Sequence, residues 1–149
     1  MSLKFKIPIV PMGQARTRAA RRGNHIHMYS PPKSVEYKES LQHHLINQLP
    51  EGFKIPDTDV DIKVLASFCM PMLRSWSQKK RGKHLDKPHT KKPDIDNLIK
   101  ALFDAMNGIV WKDDSQVSYL NVSKHYCAYP GIYLTIHFDY EKREGEINE

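Results

Sequence analysis

The stretch from residue 59 to 70 alternates without a slip. Val60, Ile62, Val64, Ala66, Phe68 and Met70 fall on one side, and Asp61, Lys63 and Ser67 on the other. Successive strand side chains point to opposite faces, so this pattern predicts a strand with one face on a core and one toward water. Such a sheet needs helices against its dry face. Two segments carry the helical period. Residues 34–49 place Tyr37, Leu41, Leu45 and Leu49 on one side, with Ser34 able to cap the first turn and Pro50-Glu51-Gly52 to end it. Residues 94–107 place Ile95, Leu98, Ile99, Leu102, Ala105 and Met106 on one side. Pro93 precedes them, Asp94 or Asp96 can cap, and Asn107-Gly108 stops the helix.

Three more strands are expected by the same rules. Residues 5–10 form an apolar run closed by Pro11. Residues 117–126 and 132–140 flank Ala128-Tyr129-Pro130-Gly131, a hairpin turn, and the second turns Ile132, Leu134, Ile136 and Phe138 inward. The order β-α-β-α-β-β predicts an α+β fold with a mixed sheet of about four strands and two main helices packed against it. At 149 residues the chain reads as a single domain spanning 1–149, with the charged tail 141–149 expected to fray. No apolar run approaches the roughly 20 residues of a membrane span, and no signal-peptide core opens the chain, so a cytoplasmic protein with no membrane association is expected. Cys69 and Cys127 match no zinc spacing and read as two small buried side chains.

The net charge of +6 is unevenly spread. Residues 1–33 hold seven Lys or Arg and no acid. Residues 71–92 hold eight and one acid, Asp86; the remainder is acidic. Two concentrated basic segments suit a polyanion, most simply nucleic-acid phosphate. Arg16, Arg18, Arg21 and Arg22 lie in the first, which reads as a loop with a short ribbon near residues 25–29. Lys79, Lys80 and Arg81 lie in the second, which shows no period and reads as a long functional loop. Trp76 in that loop suits either stacking on an unpaired base or anchoring the loop on the core.

Between the basic loop and the helix face lies an acidic cluster. Asp94 and Asp96 flank one residue at a helix start, and Lys100 stands one turn beyond Asp96 on the same polar stripe. If the chain reverses at Gly108 and returns extended, about five residues bring Asp113 and Asp114 back to the helix start. Three hard oxygen ligands suit Mg²⁺ or Mn²⁺, which activate water and neutralise charge in phosphodiester hydrolysis. Lys100 is then placed to assist at the scissile phosphate. Taken singly, the same aspartates also read as a cap and a turn.

The run Lys92-Pro93-Asp94-Ile95-Asp96-Asn97-Leu98-Ile99-Lys100-Ala101-Leu102-Phe103-Asp104-Ala105-Met106, followed by Trp111-Lys112-Asp113-Asp114-Ser115-Gln116-Val117, resembles the RusA family of Holliday-junction resolvases. This family of crossover-junction endodeoxyribonucleases occurs in bacteria and often in prophages. The resemblance implies a homodimer that binds four-way junction DNA and nicks two strands symmetrically with Mg²⁺. It puts metal-binding aspartates at Asp94, Asp96 and Asp114 and the essential lysine at Lys100, with Asp113 and Asp104 as neighbouring acids. The extended basic segment 71–92 departs from some members. Two rival readings are a non-catalytic nucleic-acid-binding protein and a metal-dependent nuclease on other branched DNA or on RNA.

Overall fold

The computed structural model describes residues 1–140; the expected fraying of 141–149 lies outside the described residues. The alternating stretch is the interior strand β4 (Asp61–Pro71) of a four-stranded sheet. Its neighbours are β5 (Val117–Cys127), which runs parallel to it, and β6 (Gly131–Asp139), which runs antiparallel. Strand β1 (Ser2–Ile7) closes the order β1-β6-β4-β5 by pairing antiparallel with β6. The α+β expectation and the mixed four-stranded sheet are as read from the sequence.

One face of the sheet is dry. Leu3, Phe5 and Ile7 of β1, the even residues of β4, and Ile132, Leu134, Ile136 and Phe138 of β6 are all buried. Two helices cover them: α1 (Pro32–Gln48), through Tyr37, Leu41 and Leu45, and α3 (Ile95–Met106), through Leu98, Ala101, Leu102, Ala105 and Met106. Burying a Leu, Ile or Phe fully contributes roughly 1.5–3 kcal/mol, so this layer carries most of the fold. The other face, with Lys4, Lys6, Leu65, Asn121 and Tyr133, stays exposed.

Helix α1 begins at Pro32, not at Ser34. Pro31 stands at the cap, no side chain caps the helix, and Pro32 needs no amide partner. The basic segment after β4 is not structureless. It holds α2 (Gln78–His84), capped by Ser77, whose hydroxyl accepts from the Lys80 amide at 3.1 Å. None of its residues is buried, so no apolar period announced it. The ribbon expected near residues 25–29 is present as β2 (Arg18–Arg22) paired with β3 (His25–Tyr29). Among the described residues no helix is long and apolar enough to cross a membrane.

The chain leaving α3 does not return extended. Val110 and Trp111 are fully buried directly below the helix end. Gly108, at φ +80°, donates its amide to the Trp111 carbonyl at 2.7 Å, and the indole donates to Asn107 Oδ1 at 2.6 Å. Burying these two apolar side chains requires a tight local turn. Gln116 fixes the segment after Trp111: its side chain accepts from the Lys112 and Asp113 amides and donates to the Asp57 carbonyl at 2.8 Å. Asp113 and Asp114 therefore remain at the carboxyl end of α3.

Candidate metal centre and nucleic-acid interface

The parallel register of β4 and β5, from Ile62 opposite Val117 to Pro71 opposite Cys127, brings their carboxyl ends level. Residues 86–89 lie along the outer edge of β5 there. Asp86 donates its amide to the Tyr126 carbonyl (2.9 Å), Tyr126 to Lys87 (3.0 Å), and His89 to Lys124 (3.2 Å). The Lys124 ammonium then donates to the carbonyls of Lys91 at 2.5 Å and Pro93 at 2.7 Å. On the other side Gln14 donates its amide to the Asn97 carbonyl at 3.0 Å. The start of α3 is thus held between β5 and the chain that leads to the ribbon.

A groove opens at this point, lined by His89, Lys91, Lys92, Asp94, Asp96, Lys124 and His125. Asp94 occupies the cap position of α3 with extended backbone, but its side chain makes no capping hydrogen bond. Asp96 sits in the first turn, and both are exposed. Neither takes part in the ion pairs Lys38–Asp104 and Lys112–Asp57. The positive end of the helix favours their charge. Two hard oxygen donors with no hydrogen bond or ion pair among the described residues fit a magnesium-class ion. Lys100 is exposed one turn further along.

Asp114 is not brought to them. From Asp94 to Met106 the helix climbs about 18 Å, and Asp114 lies beyond its far end. Its neighbour Asp113 caps the short turn Asp114–Gln116 and accepts from the Ser115 amide at 3.2 Å. Hydrogen bonding from Ser115 holds the Asp113 carboxyl below the usual carboxylate range. Asp104 pairs with Lys38 of α1 at 3.2 Å rather than with Lys100; a half-exposed pair of this kind is worth at most about 1 kcal/mol.

The basic residues divide by what they touch. Arg16, Arg18, Arg21 and Arg22 are exposed on the ribbon and the loop before it, and among the described residues only Arg21 makes a local bond, from Nε to the Gly23 carbonyl. Lys79 is exposed on α2. Lys80 lies over the Trp76 ring, 4.7 Å from its centroid. Arg81 is spent internally, donating to the carbonyls of Leu73 (3.0 Å) and Trp76 (3.3 Å). Trp76 packs against His84 (4.4 Å) and Tyr126 (5.5 Å), so it anchors the loop.

Three features escaped the sequence reading. Lys124 lies on the inward side of β5, in step with Val122 and Tyr126; a lysine at that period was the available signal. His89 is buried at 8% exposure, and its Nδ1 has no partner among the described residues. Burial, aided by the Lys124 ammonium, pushes its pKa down. The third is a group of Cys69, His125 and Cys127, whose ligand atoms all lie within 4.8 Å of one another. Cys69 Sγ is 3.4 Å from His125 Nε2, and burial together with Cys69 pushes the Cys127 thiol up to about 12. No spacing in the sequence announces a site that depends on strand register.

The order of elements and the acidic helix start within a basic frame define the class of protein. The chain belongs to the RusA endodeoxyribonuclease family: residues 8–137 match the family described as Endodeoxyribonuclease RusA. It is also 36% identical over 137 residues to the uncharacterized protein YqaN of Bacillus subtilis (strain 168), covering 90% of this chain and 94% of that one.

Proposed function

We propose that the protein is a Mg²⁺-dependent, structure-selective endodeoxyribonuclease that resolves Holliday junctions by paired nicks, acting as a homodimer in the cytoplasm, with Mn²⁺ an acceptable substitute. The observation that carries this is the pair Asp94 and Asp96: two carboxylates at a helix start, unused by the fold, in a groove between basic segments. Membership of an endodeoxyribonuclease family supports the reaction class. When bound, the ion activates water and neutralises charge on the phosphate. Asp94 and Asp96 hold it, and Lys100 faces the phosphate from the same stripe. The ribbon arginines and Lys79 contact the DNA backbone.

The position of Asp114 gives the dimer a purpose. Strand β5 is the last in the sheet, and among the described residues only 86–89 lie on its outer edge, at 124–126. The edge from Val117 to Ser123 is an open pairing surface. Two copies joined antiparallel about a two-fold axis at this edge bring the Asp114 end of one strand beside the Lys124 end of the other. Each metal centre then takes Asp94 and Asp96 from one chain and the partner subunit's Asp114.

Two experiments test these claims separately. A labelled four-way junction and a matched linear duplex, with Mg²⁺ or with chelator, should give paired symmetric nicks in the junction alone and with metal alone. Junction binding without nicking at any protein concentration would identify a non-catalytic binder instead. Asp96→Asn and Asp114→Asn chains, each inactive alone, should recover nicking when mixed by co-expression, because one centre of the mixed dimer is intact. A mixture as inactive as its components would mean that each chain builds its own centre.

A further inference from the structure

The two cysteines, read from the sequence as two small buried side chains, meet at the carboxyl ends of β4 and β5. Their register puts Cys69 level with His125. Cys127, two residues further along β5, points to the same face as His125. Both cysteines are free thiols. We propose that Cys69, His125 and Cys127 form a second metal site, distinct from the carboxylates, that takes a tetrahedral zinc ion.

The geometry supports this closely. With Zn–S of about 2.3 Å, Zn–N of about 2.0–2.1 Å and tetrahedral angles, a sulfur and a nitrogen on one ion stand about 3.6 Å apart. Cys69 Sγ and His125 Nε2 are 3.4 Å apart, and the third ligand atom lies within 4.8 Å of both. Among the described residues no other group of three His, Cys, Asp or Glu side chains converges in this way. Two thiolates and an imidazole select zinc-class ions over Mg²⁺, which prefers oxygen. The site and the carboxylate groove therefore take different metals.

Asp86 lies beside the set, although its carboxylate is not one of the converging ligand atoms. It adopts the left-handed conformation, φ 62°, one that aspartate tolerates better than most residues. Its amide is tied to the Tyr126 carbonyl, next to Cys127. The fourth position falls to water. On binding, the two thiols each lose a proton to solvent as the two Zn–S bonds form, and the imidazole binds neutral. The ion then ties β4 to β5 at their carboxyl ends, beside residues 86–89. Because His125 also lines the groove that holds Asp94 and Asp96, the zinc would steady one wall of it.

The test needs no nuclease assay, so its outcome is independent of the proposed nicking activity. Full-length protein purified under reducing conditions without chelator is analysed for metal by mass spectrometry. The stripped protein is then titrated with Co²⁺. About one zinc per chain is expected, together with a thiolate-to-cobalt charge-transfer band and the visible absorption of a tetrahedral site. Cys127→Ser and His125→Ala should each weaken Co²⁺ binding at least about tenfold, with circular dichroism unchanged. Cys69 is buried and is left intact. Trace zinc with no charge-transfer band would overturn the site. So would undiminished binding in a folded Cys127→Ser protein, or a non-reduced mass showing that Cys69 and Cys127 are joined as a disulfide.

Discussion

The Lys124 ammonium stands 2.7 Å from the Pro93 carbonyl, a bond that ties a strand of the sheet to the residue just before Asp94. Its second bond, to Lys91, fixes the two residues on either side of Lys92. A charged hydrogen bond contributes roughly 1.5–3 kcal/mol, and here two share one partly buried donor. Lys124→Met keeps the stem and removes the bonds. It should lower stability by about 1–3 kcal/mol, a Tm fall of several degrees, and cut nicking about tenfold while junction binding changes little. Thermal unfolding and single-turnover nicking on one preparation check both parts. Loss of binding in parallel with nicking would make Lys124 a DNA contact instead.

Asp96→Asn separates the metal reading from the capping reading. Asp96 sits in the first turn of α3, not at the cap, so asparagine there loses only the dipole interaction, worth about 0.3–1 kcal/mol. Stability should therefore stay within about 1 kcal/mol of wild type. Nicking in Mg²⁺ should fall at least about a hundredfold, in line with loss of a group that acts on developing charge, while gel-shift affinity for the junction holds. Wild-type nicking rates in this variant would sink the assignment.

Gly13 is the closest approach on the other side of α3. A Cβ there would stand 3.0 Å from the Pro93 Cβ and 3.4 Å from that of Asn97. Neither is the far end of a flexible chain, so the loop leading to the ribbon must shift. Gly13→Ala should destabilise by roughly 1–3 kcal/mol and lower nicking by displacing the helix start. Gly82→Ala is the control: nothing lies within 4 Å of its Cβ, and it sits inside α2. It should be neutral or stabilising by up to about 1 kcal/mol. Chemical unfolding of the pair decides the matter.

How much of this was legible in the sequence varies with the range of the interaction. The sheet was legible because β4 alternates residue by residue, and α3 because its apolar positions recur at helical spacing; both are local periods. That Asp94 and Asp96 stand together at the start of α3 was legible because they lie two residues apart. What failed was long-range. The extended return from Gly108 ignored that Val110 and Trp111 bury at once, which leaves Asp114 at the far end of α3. The cysteines lie 58 positions apart in the numbering and meet only because β4 and β5 run parallel in one particular register. Helix α2 was invisible because it buries nothing.

The basic residues should not behave alike. Arg22, exposed on the ribbon, is free to contact phosphate. Arg22→Ala should weaken junction binding and reduce the slope of log K against log salt by about one unit, with stability unchanged. Arg81 is bonded to the Leu73 and Trp76 carbonyls. Arg81→Ala should instead loosen residues 73–85, seen as faster amide exchange there, and leave the salt slope near that of wild type. Binding titrations at several salt concentrations separate the two roles.

His89 contributes to the pH response of stability. Burial, with the Lys124 ammonium nearby, holds its folded pKa below the usual histidine value of about 6.5. The unfolded chain therefore takes up this proton first as pH falls. His89 costs nothing above pH of about 6.5, where both states are neutral, and the fold loses stability as pH drops from there through the lower folded value. The ring lies 4.8 Å from that of Tyr126 and its Nδ1 is unpartnered, so an apolar aromatic of similar shape can take its place. His89→Phe should flatten the acid limb of the stability curve below about pH 6.5. Its stability at neutral pH should stay within about 1.5 kcal/mol of wild type. Urea titrations across that range check this, and an acid limb equally steep in His89→Phe would assign the loss to other groups.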